Sequence, residues 1–185
     1  MKPVVIDNLF SEEELFYVYK DLISNRVWNV GGSPAGTGNI EYTSLKQFNT
    51  GPSFTVMDNA FEVFSQPYFL YGQSLIFRLK KILEEKNIGL HTKMTRMWFN
   101  ICYSGSKQNW LHQDNETTNH QSILLFMTPV WQTAWKGSFY VGGEEYKYKP
   151  GSAIIFDSQE FHTGEAPSDA TFNWIRMTAN IVVTS

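Results

Sequence analysis

The spacing of apolar residues changes about halfway along the chain. In residues 1–91 apolar positions recur at helical intervals in two places, after Ser11 and after Pro67. Ser11 followed by Glu14 forms a capping box, which predicts the start of the first helix. The second stripe ends near Gly89, and we expect this helix to cover one side of a sheet. The region 1–91 is therefore predicted to be helical, with loops and a turn at 49–52.

From Thr92 onward the chain consists of short β-rich runs separated by Gly, Pro, Asn and Asp. Successive strands without intervening helices indicate an antiparallel barrel or a double-sheet jelly roll. We therefore predict a mainly β fold with flanking helices, in which residues 92–185 form a jelly-roll (double-stranded β-helix) core and the N-terminal helices pack on one sheet. The runs are Met94–Tyr103, Gln121–Thr128, Lys136–Val141, Glu144–Tyr148, Ser152–Phe156 and Phe172–Thr184.

Length and composition restrict the class of protein. A chain of 185 residues fits a single domain, 1–185, and its 42% hydrophobic content excludes intrinsic disorder. The net charge of −3 provides no basic field for non-specific binding to nucleic acid. No apolar run is long enough for a signal peptide or a membrane span, so we expect a soluble, cytoplasmic protein without a membrane partner. The single cysteine, Cys102, excludes an internal disulfide and a multi-cysteine metal cluster.

One glycine-rich segment, Gly31 to Asn39, has the composition of a nucleotide-binding loop but not its pattern. It lacks the Gly-Lys-Ser/Thr ending that holds phosphates and Mg²⁺, so nucleotide binding there is rejected. Two interpretations remain, a mobile connector or a lid over a pocket.

The candidate chemistry begins with His112-Gln113-Asp114. If this segment is extended, the imidazole and the carboxylate point to the same face. His162 follows 50 residues later, and two histidines with one carboxylate form a facial triad that suits non-haem Fe(II). Alone the motif is weak, because a chain with four histidines and six aspartates contains such a pair by chance in roughly one case in eight. A surface His112 hydrogen-bonded to Asp114 is the alternative.

An arginine downstream strengthens the hypothesis. Arg176 lies within the apolar run Phe172–Thr184, where a buried guanidinium requires a partner. No carboxylate within that run can serve, whereas a bound dicarboxylate would match the planar fork in bidentate fashion. Thr178 shares the same face and can donate its hydroxyl. The alternative is that Arg176 pairs with a distant Glu or Asp.

Taken in order, these motifs resemble the Fe(II)- and 2-oxoglutarate-dependent dioxygenases, most nearly the prolyl-4-hydroxylase-like branch. The resemblance extends from about Met97 to Val183, and the order and spacing of its segments make it far more specific than any single motif. The segments are Tyr103-Ser104-Gly105, His112-Gln113-Asp114, the region Trp135-Lys136-Gly137-Ser138-Phe139, Tyr148 to Phe156, His162-Thr163-Gly164 and Arg176-Met177-Thr178.

The resemblance implies a role for each matching residue. His112, Asp114 and His162 would hold Fe(II), and Arg176, helped by Thr178, would bind the distal carboxylate of 2-oxoglutarate. Such enzymes use dioxygen to convert 2-oxoglutarate to succinate while a C–H bond of a substrate is oxidised. The implied activity is a hydroxylase (an oxidoreductase) acting on a peptidyl residue such as proline or on a small molecule. Residues 1–91 would help to build the substrate cleft.

The resemblance also implies that Tyr103 adds a hydroxyl to the co-substrate. Two departures from the family pattern are visible: the family often has Lys where this chain has Arg176, and Tyr103-Ser104-Gly105 is one residue shorter than usual. Two other functions use the same triad. A Zn²⁺-dependent jelly-roll hydrolase would leave Arg176 without a role, and a non-catalytic binding module would carry vestigial ligands.

Overall fold

The computed structural model describes residues 1–25, 29–30, 47–55, 67–102, 111–115, 117–168 and 175–185. Within these ranges the chain forms two α-helices and ten β-strands. The helices are α1 (Glu12–Asn25) and α2 (Pro67–Glu84). The strands are β1 (Val4–Ile6), β2 (Asn29–Val30), β3 (Gln47–Thr55), β4 (Lys93–Cys102), β5 (His120–Phe126), β6 (Phe139–Val141), β7 (Glu144–Tyr146), β8 (Ala153–Asp157), β9 (His162–Gly164) and β10 (Arg176–Thr184).

The strands form two antiparallel sheets. The larger has seven strands in the order β1-β8-β5-β10-β4-β3-β2, and the smaller has three in the order β7-β6-β9. β10 lies between β4 and β5, although β5 to β9 separate β4 from β10 along the chain, so long connections bring the two ends of the predicted β region together. The predicted mainly β class with flanking helices is confirmed.

The predicted capping box begins α1. The Glu14 amide donates to Ser11 Oγ at 3.1 Å, and the Ser11 amide donates to Glu14 Oε2 at 2.8 Å. Each side chain therefore accepts a hydrogen bond from the backbone N–H of the other residue. Glu14 also pairs with Arg78 Nη2 of α2 at 2.9 Å. This pair ties the start of α1 to the second helix.

Both helices pack on one face of the large sheet, as predicted. The close approach of α2 depends on Gly72, where an added Cβ would lie 2.7 Å from Met97 Sδ on β4. The buried apolar residues on this side come from α1, α2 and alternate positions of the strands. They include Leu15, Leu22, Leu75, Ile76, Leu79, Leu83, Met97, Phe99, Ile101, Ile123, Leu125, Met177, Ala179, Ile181 and Val183.

The opposite face of the large sheet packs against the small sheet. Phe139 of β6 lies with its ring centroid 5.5 Å from that of Phe156 on β8. Leu124 and Phe126 of β5 join this second cluster, together with Tyr148. We call this side the inner face, because the small sheet covers part of it.

Residues 1–91 are less helical than expected, because three strands from this region join the large sheet. β1 pairs with β8 over three residues, which is too short for a periodic pattern to reveal.

The predicted turn at 49–52 is wrong, since these residues lie within β3. The turn residues mark an irregularity in pairing: Thr50 opposes Phe99 and Phe54 opposes Met97, so β3 holds two more residues than β4 there. Pro52 has no amide to donate to a ladder.

The other strand predictions hold to within a few residues. The run beginning at Lys136 becomes a strand only at Phe139, because Lys136 (φ 59°) and Gly137 (φ 82°) adopt left-handed backbone conformations. The glycine-rich loop from Gly31 to Asn39 lies outside the described residues. Neither described helix has the length and apolar character needed to cross a membrane.

Candidate metal centre

A short backbone bridge brings the two predicted histidine ligands together. The His112 amide donates to the His162 carbonyl at 3.1 Å, and the His162 amide donates back at 2.9 Å. Directly opposed residues in an antiparallel pair present their side chains on the same face. The two imidazole centroids are accordingly 4.3 Å apart, although 50 residues separate them along the chain.

Asp114 completes the group. Its amide donates to the Ser158 carbonyl at 3.1 Å, and its Oδ1 lies 3.5 Å from His162 Nε2 and 4.0 Å from His112 Nε2. One ligand atom from each residue lies within 4.8 Å of the other two. Bonds of about 2.1 Å at right angles put neighbouring ligand atoms roughly 3 Å apart. The two Asp–His separations would have to shorten by about 1 Å or less, and no pair of ligand atoms by more than about 1.8 Å, so the donor set fits a facial triad.

The centre is buried on two sides and open on the third. The side chains of Asp114 and His162 are 5% and 6% exposed, whereas that of His112 is 24% exposed. A ligand would therefore approach from the His112 side.

Two serines hold the carboxylate in place. Ser122 Oγ donates to Asp114 Oδ2 at 2.6 Å and lies 2.9 Å from Ser158 Oγ, and both serines are buried. Because Oδ2 is engaged in this hydrogen bond, Oδ1 is the oxygen left to bind a metal. The sequence analysis missed both serines, although Ser122 is detectable as the polar position in the apolar run Ser122-Ile123-Leu124-Leu125-Phe126.

The protonation states suit a cation. Burial alone would raise the pKa of Asp114, but the hydrogen bond and positive charge of His162, with the Ser122 hydroxyl and His112, outweigh burial and lower it. The carboxylate is therefore ionised at neutral pH. His162 Nδ1 lies 2.9 Å from the Glu160 carbonyl, which can only accept, so Nδ1 carries a proton. Nε2 is then the nitrogen that faces Asp114, and a bound metal would replace the proton through which Nε2 contacts that carboxylate.

Arg176 begins β10 and is only 3% exposed. Its Nε donates to the Gly137 carbonyl at 2.8 Å, and its guanidinium carbon lies 5.6 Å from the centre of the Tyr148 ring. The approach requires glycine at 137, where a Cβ would lie 3.2 Å from Arg176 Cδ and 2.9 Å from the Trp131 ring. Arg176 is thus held by its backbone contact and by aromatic packing.

One end of this guanidinium has no partner among the described residues. Arg176 Nη2 is buried and makes no hydrogen bond with any of them, and no described carboxylate forms an ion pair with Arg176. Burial lowers the pKa of Arg176 from its ordinary value, but that value is so high that the group stays charged at neutral pH. The charge of Glu165 acts on this guanidinium from a distance, but no described Glu or Asp lies within ion-pair range, so the buried cation keeps a donor that no described residue binds.

Arg176 and the metal centre share the inner face of the large sheet. Along β10, Arg176, Thr178 and Val182 alternate onto one face, and Val182 lies opposite Ser122, whose hydroxyl contacts Asp114. Thr178 is buried on the same face. Arg176 and Thr178 therefore lie on the same face of the large sheet as the residue that contacts Asp114; their roles in binding a co-substrate stay a prediction.

The predicted co-substrate ligand Tyr103 lies outside the described residues. The other two histidines and the cysteine lie apart from the triad. His120 Nδ1 lies 3.1 Å from Thr117 Oγ1 and does not join the triad, and His91 contacts the Gln121 side chain through its backbone amide. Cys102 is buried, as expected for a small apolar side chain.

Comparisons with known proteins show similarity only at the level of structure. No family model and no curated protein matches the sequence. A prolyl-4-hydroxylase from Pseudomonas putida superimposes with a TM-score of 0.62 at 13% identity, covering 99% of this chain and 92% of that chain. A Trichoplax adhaerens prolyl hydroxylase, solved with a hypoxia-inducible-factor peptide, gives 0.64 at 15%, covering 98% and 83%. A non-haem 2-oxoglutarate-dependent carbocyclase from nogalamycin biosynthesis gives 0.62 at 12%, covering 99% and 79%.

The fold of this protein is therefore that of the non-haem 2-oxoglutarate-dependent oxygenases, and it is shared with prolyl 4-hydroxylases. The resemblance inferred from the sequence motifs is confirmed at this level.

Proposed function

We propose that the protein is an Fe(II)- and 2-oxoglutarate-dependent dioxygenase that hydroxylates a substrate C–H bond. The observation that carries this proposal is the buried Nη2 of Arg176, which has no hydrogen-bond partner in the described part of the chain and lies on the same face as a His-Asp-His group. A metal-binding hydrolase requires the triad but not the arginine. An enzyme that holds a dicarboxylate beside its metal requires both.

In this proposal His112, Asp114 and His162 hold Fe(II) as the catalytic centre. The Ser122 hydroxyl keeps Asp114 monodentate, and the Glu160 carbonyl keeps His162 in the tautomer that binds metal through Nε2. Because these three residues would hold the metal from one side, they would leave its other side open to the co-substrate and dioxygen. When bound, the metal and 2-oxoglutarate supply the oxygen chemistry: dioxygen, 2-oxoglutarate and R–H give succinate, carbon dioxide and R–OH.

Arg176 is proposed to bind the distal carboxylate of 2-oxoglutarate. Because its Nε is already engaged with Gly137, Nη2 is the donor turned to the ligand, and Tyr148 holds the plane of the fork. Thr178 is proposed to donate its hydroxyl from the next position on the same face, and Tyr103 to add a second hydroxyl. A dianion placed there would neutralise a buried cation that forms no ion pair with a described residue.

We also propose that residues 1–185 form one oxygenase domain. The seven- and three-stranded sheets would be the two sheets of a double-stranded β-helix formed largely by residues 92–185. Residues 1–91 would support it and border the substrate cleft. Structures with this fold include enzymes named for peptidyl proline and an enzyme of small-molecule biosynthesis, so both substrate classes are compatible with the proposal.

Anaerobic spectroscopy tests the proposal directly. Fe(II) with 2-oxoglutarate should give a weak visible charge-transfer band in the wild type, and His112→Ala should abolish it. His91→Ala is the matched control, because His91 lies outside the ligand group, and it should keep the band. An iron-loaded protein that shows neither the band nor succinate formation across a substrate panel would refute the proposal. Zinc-dependent hydrolysis indifferent to 2-oxoglutarate would replace it.

A further inference from the structure

A row of cross-strand neighbours leads away from the metal centre along the inner face. Ser122, which contacts Asp114, lies opposite Val182 of β10, and Val182 lies opposite Arg96 of β4. Neighbouring strands are about 4.8 Å apart, so the Cα atoms of Arg96 and Ser122 are separated by roughly 10 Å. Arg96 therefore stands on the same face as the triad, within the length of a small ligand.

A bulge in β4 shapes this position. Val182 opposes Arg96 and Val183 opposes Met94, so Thr95 is an extra residue without a partner in β10. Its hydroxyl donates to the Val182 carbonyl at 3.1 Å, which fixes the irregularity. Bulges of this kind redirect neighbouring side chains and occur frequently beside active sites.

The Arg96 side chain is held in a fixed orientation. Its guanidinium carbon lies 4.2 Å from the centre of the Trp98 ring, which is a cation–π stack on a buried indole. Stacking uses the face of the guanidinium and leaves its N–H edge available. Within the described parts of the chain, no carboxylate forms an ion pair with Arg96.

The next residue of β4 on the inner face also has a side-chain polar group that no described residue binds. Asn100 follows Trp98 by two residues and lies opposite Thr178. Its Oδ1 is buried and has no hydrogen-bond partner within the ranges that the structure describes. An amide can turn to present either its oxygen or its nitrogen, so Asn100 offers a hydrogen bond to a ligand that lies between Arg96 and the co-substrate.

We infer that Arg96, stacked on Trp98, binds a carboxylate of the primary substrate, so that the substrate is an acid carrying a polar group within reach of Asn100. This inference rests on the proposed function, which assigns Arg176 to 2-oxoglutarate and leaves Arg96 for the second substrate. A carboxylate is favoured over a phosphate, because the one guanidinium of Arg96 balances the single charge of a carboxylate. No second described cation lies in the row from Ser122 to Arg96 that would balance the further charge of a phosphate.

The test uses matched acids and amides on the Mn(II)-loaded protein with 2-oxoglutarate, followed by titration calorimetry. One set contains N-acetyl amino acids and their amides, which represent free acids. The other contains twelve-residue peptides that carry Glu or Gln at one position, which represent an acidic polypeptide. At least one acid should bind tenfold or more tightly than its amide, and the set that contains it identifies the source of the carboxylate.

Three variants separate binding from folding. Arg96→Met should reduce the acid preference to about onefold while the dissociation constant for 2-oxoglutarate changes less than about twofold, and Arg96→Lys should retain part of the preference. Lys93→Met removes an exposed cation from the same strand and should leave the preference intact. Thermal melting of each variant shows whether it folds.

Three outcomes would overturn the inference. In the first, the wild type binds acids and amides equally or binds neither. In the second, the preference for the acid survives in Arg96→Met. In the third, Arg96→Met loses the binding of 2-oxoglutarate, which would assign Arg96 to the co-substrate. Failure of the proposed function would give a different result, because titration of the wild type with 2-oxoglutarate would then show no heat of binding. The comparison of acids with amides does not depend on turnover.

Discussion

Replacing Arg176 by Met tests whether this cation lacks a protein partner. Removing one member of a buried ion pair typically costs 3–5 kcal/mol, because it leaves the other charge alone. Arg176 forms no ion pair with a described carboxylate, and the charge of Glu165 acts on it only from a distance, so most of that penalty should not arise. The loss of its bond to Gly137 costs about 1.5–3 kcal/mol, and removal of the buried, unsatisfied Nη2 returns a similar amount. We therefore expect the free energy of unfolding of the ligand-free protein to change by only about 1 kcal/mol.

The ligand-bound protein should behave differently. At a concentration one hundred times its dissociation constant, 2-oxoglutarate should stabilise the Mn(II)-loaded wild type by about 2.7 kcal/mol. For a chain of this length that corresponds to a rise in Tm of roughly 5–10 °C. Arg176→Met should lose most of this rise, and Arg176→Lys should keep part of it. The 5-amide of 2-oxoglutarate, which lacks the distal charge, should give a small shift in both wild type and variant.

Thermal unfolding followed by circular dichroism, with and without each ligand, measures both effects. Destabilisation of the ligand-free Arg176→Met variant by 3 kcal/mol or more would refute the reasoning, because it would reveal a carboxylate that Arg176 neutralises. An undiminished shift with 2-oxoglutarate would refute the assignment of its distal carboxylate to this arginine.

Three further outcomes follow from the described contacts. Ser122→Ala removes the hydrogen bond to Asp114 and should weaken Mn(II) binding about 10- to 100-fold, measured by electron paramagnetic resonance of free Mn(II); unchanged affinity would contradict the positioning role. Ser11→Ala should lower the urea-derived free energy of unfolding by about 1 kcal/mol, whereas Ser24→Ala, an exposed serine of α1, should have little effect. Burial raises the pKa of Tyr148 to about 12, whereas the unfolded tyrosine ionises near 10. The stability that the neutral phenol contributes should therefore be lost as the pH rises from 10 to 12, by up to roughly 3 kcal/mol. The Tyr148→Phe variant should lack this dependence of stability on pH.

Local patterns determined much of this protein. The capping box at Ser11, the helical stripe after Pro67 and the alternation of the later strands each depend on neighbours in the chain, so the sequence alone predicted them. The two-residue spacing of His112 and Asp114 likewise predicted that both would face one side. The motif order identified the fold class because each motif occupies a fixed position along its strands.

Tertiary structure decided what depends on residues far apart in the chain. The bridge between His112 and His162 forms only when β9 reaches the segment before β5, and no local pattern encodes that contact. The role of the Ser122 hydroxyl also depends on the tertiary structure, because only the fold places Asp114 within hydrogen-bonding distance of it. Whether Arg176 has a partner, and whether Arg96 shares the face of the triad, are questions of cross-strand register. Register is set by packing across the whole sheet, so it cannot be deduced from one strand.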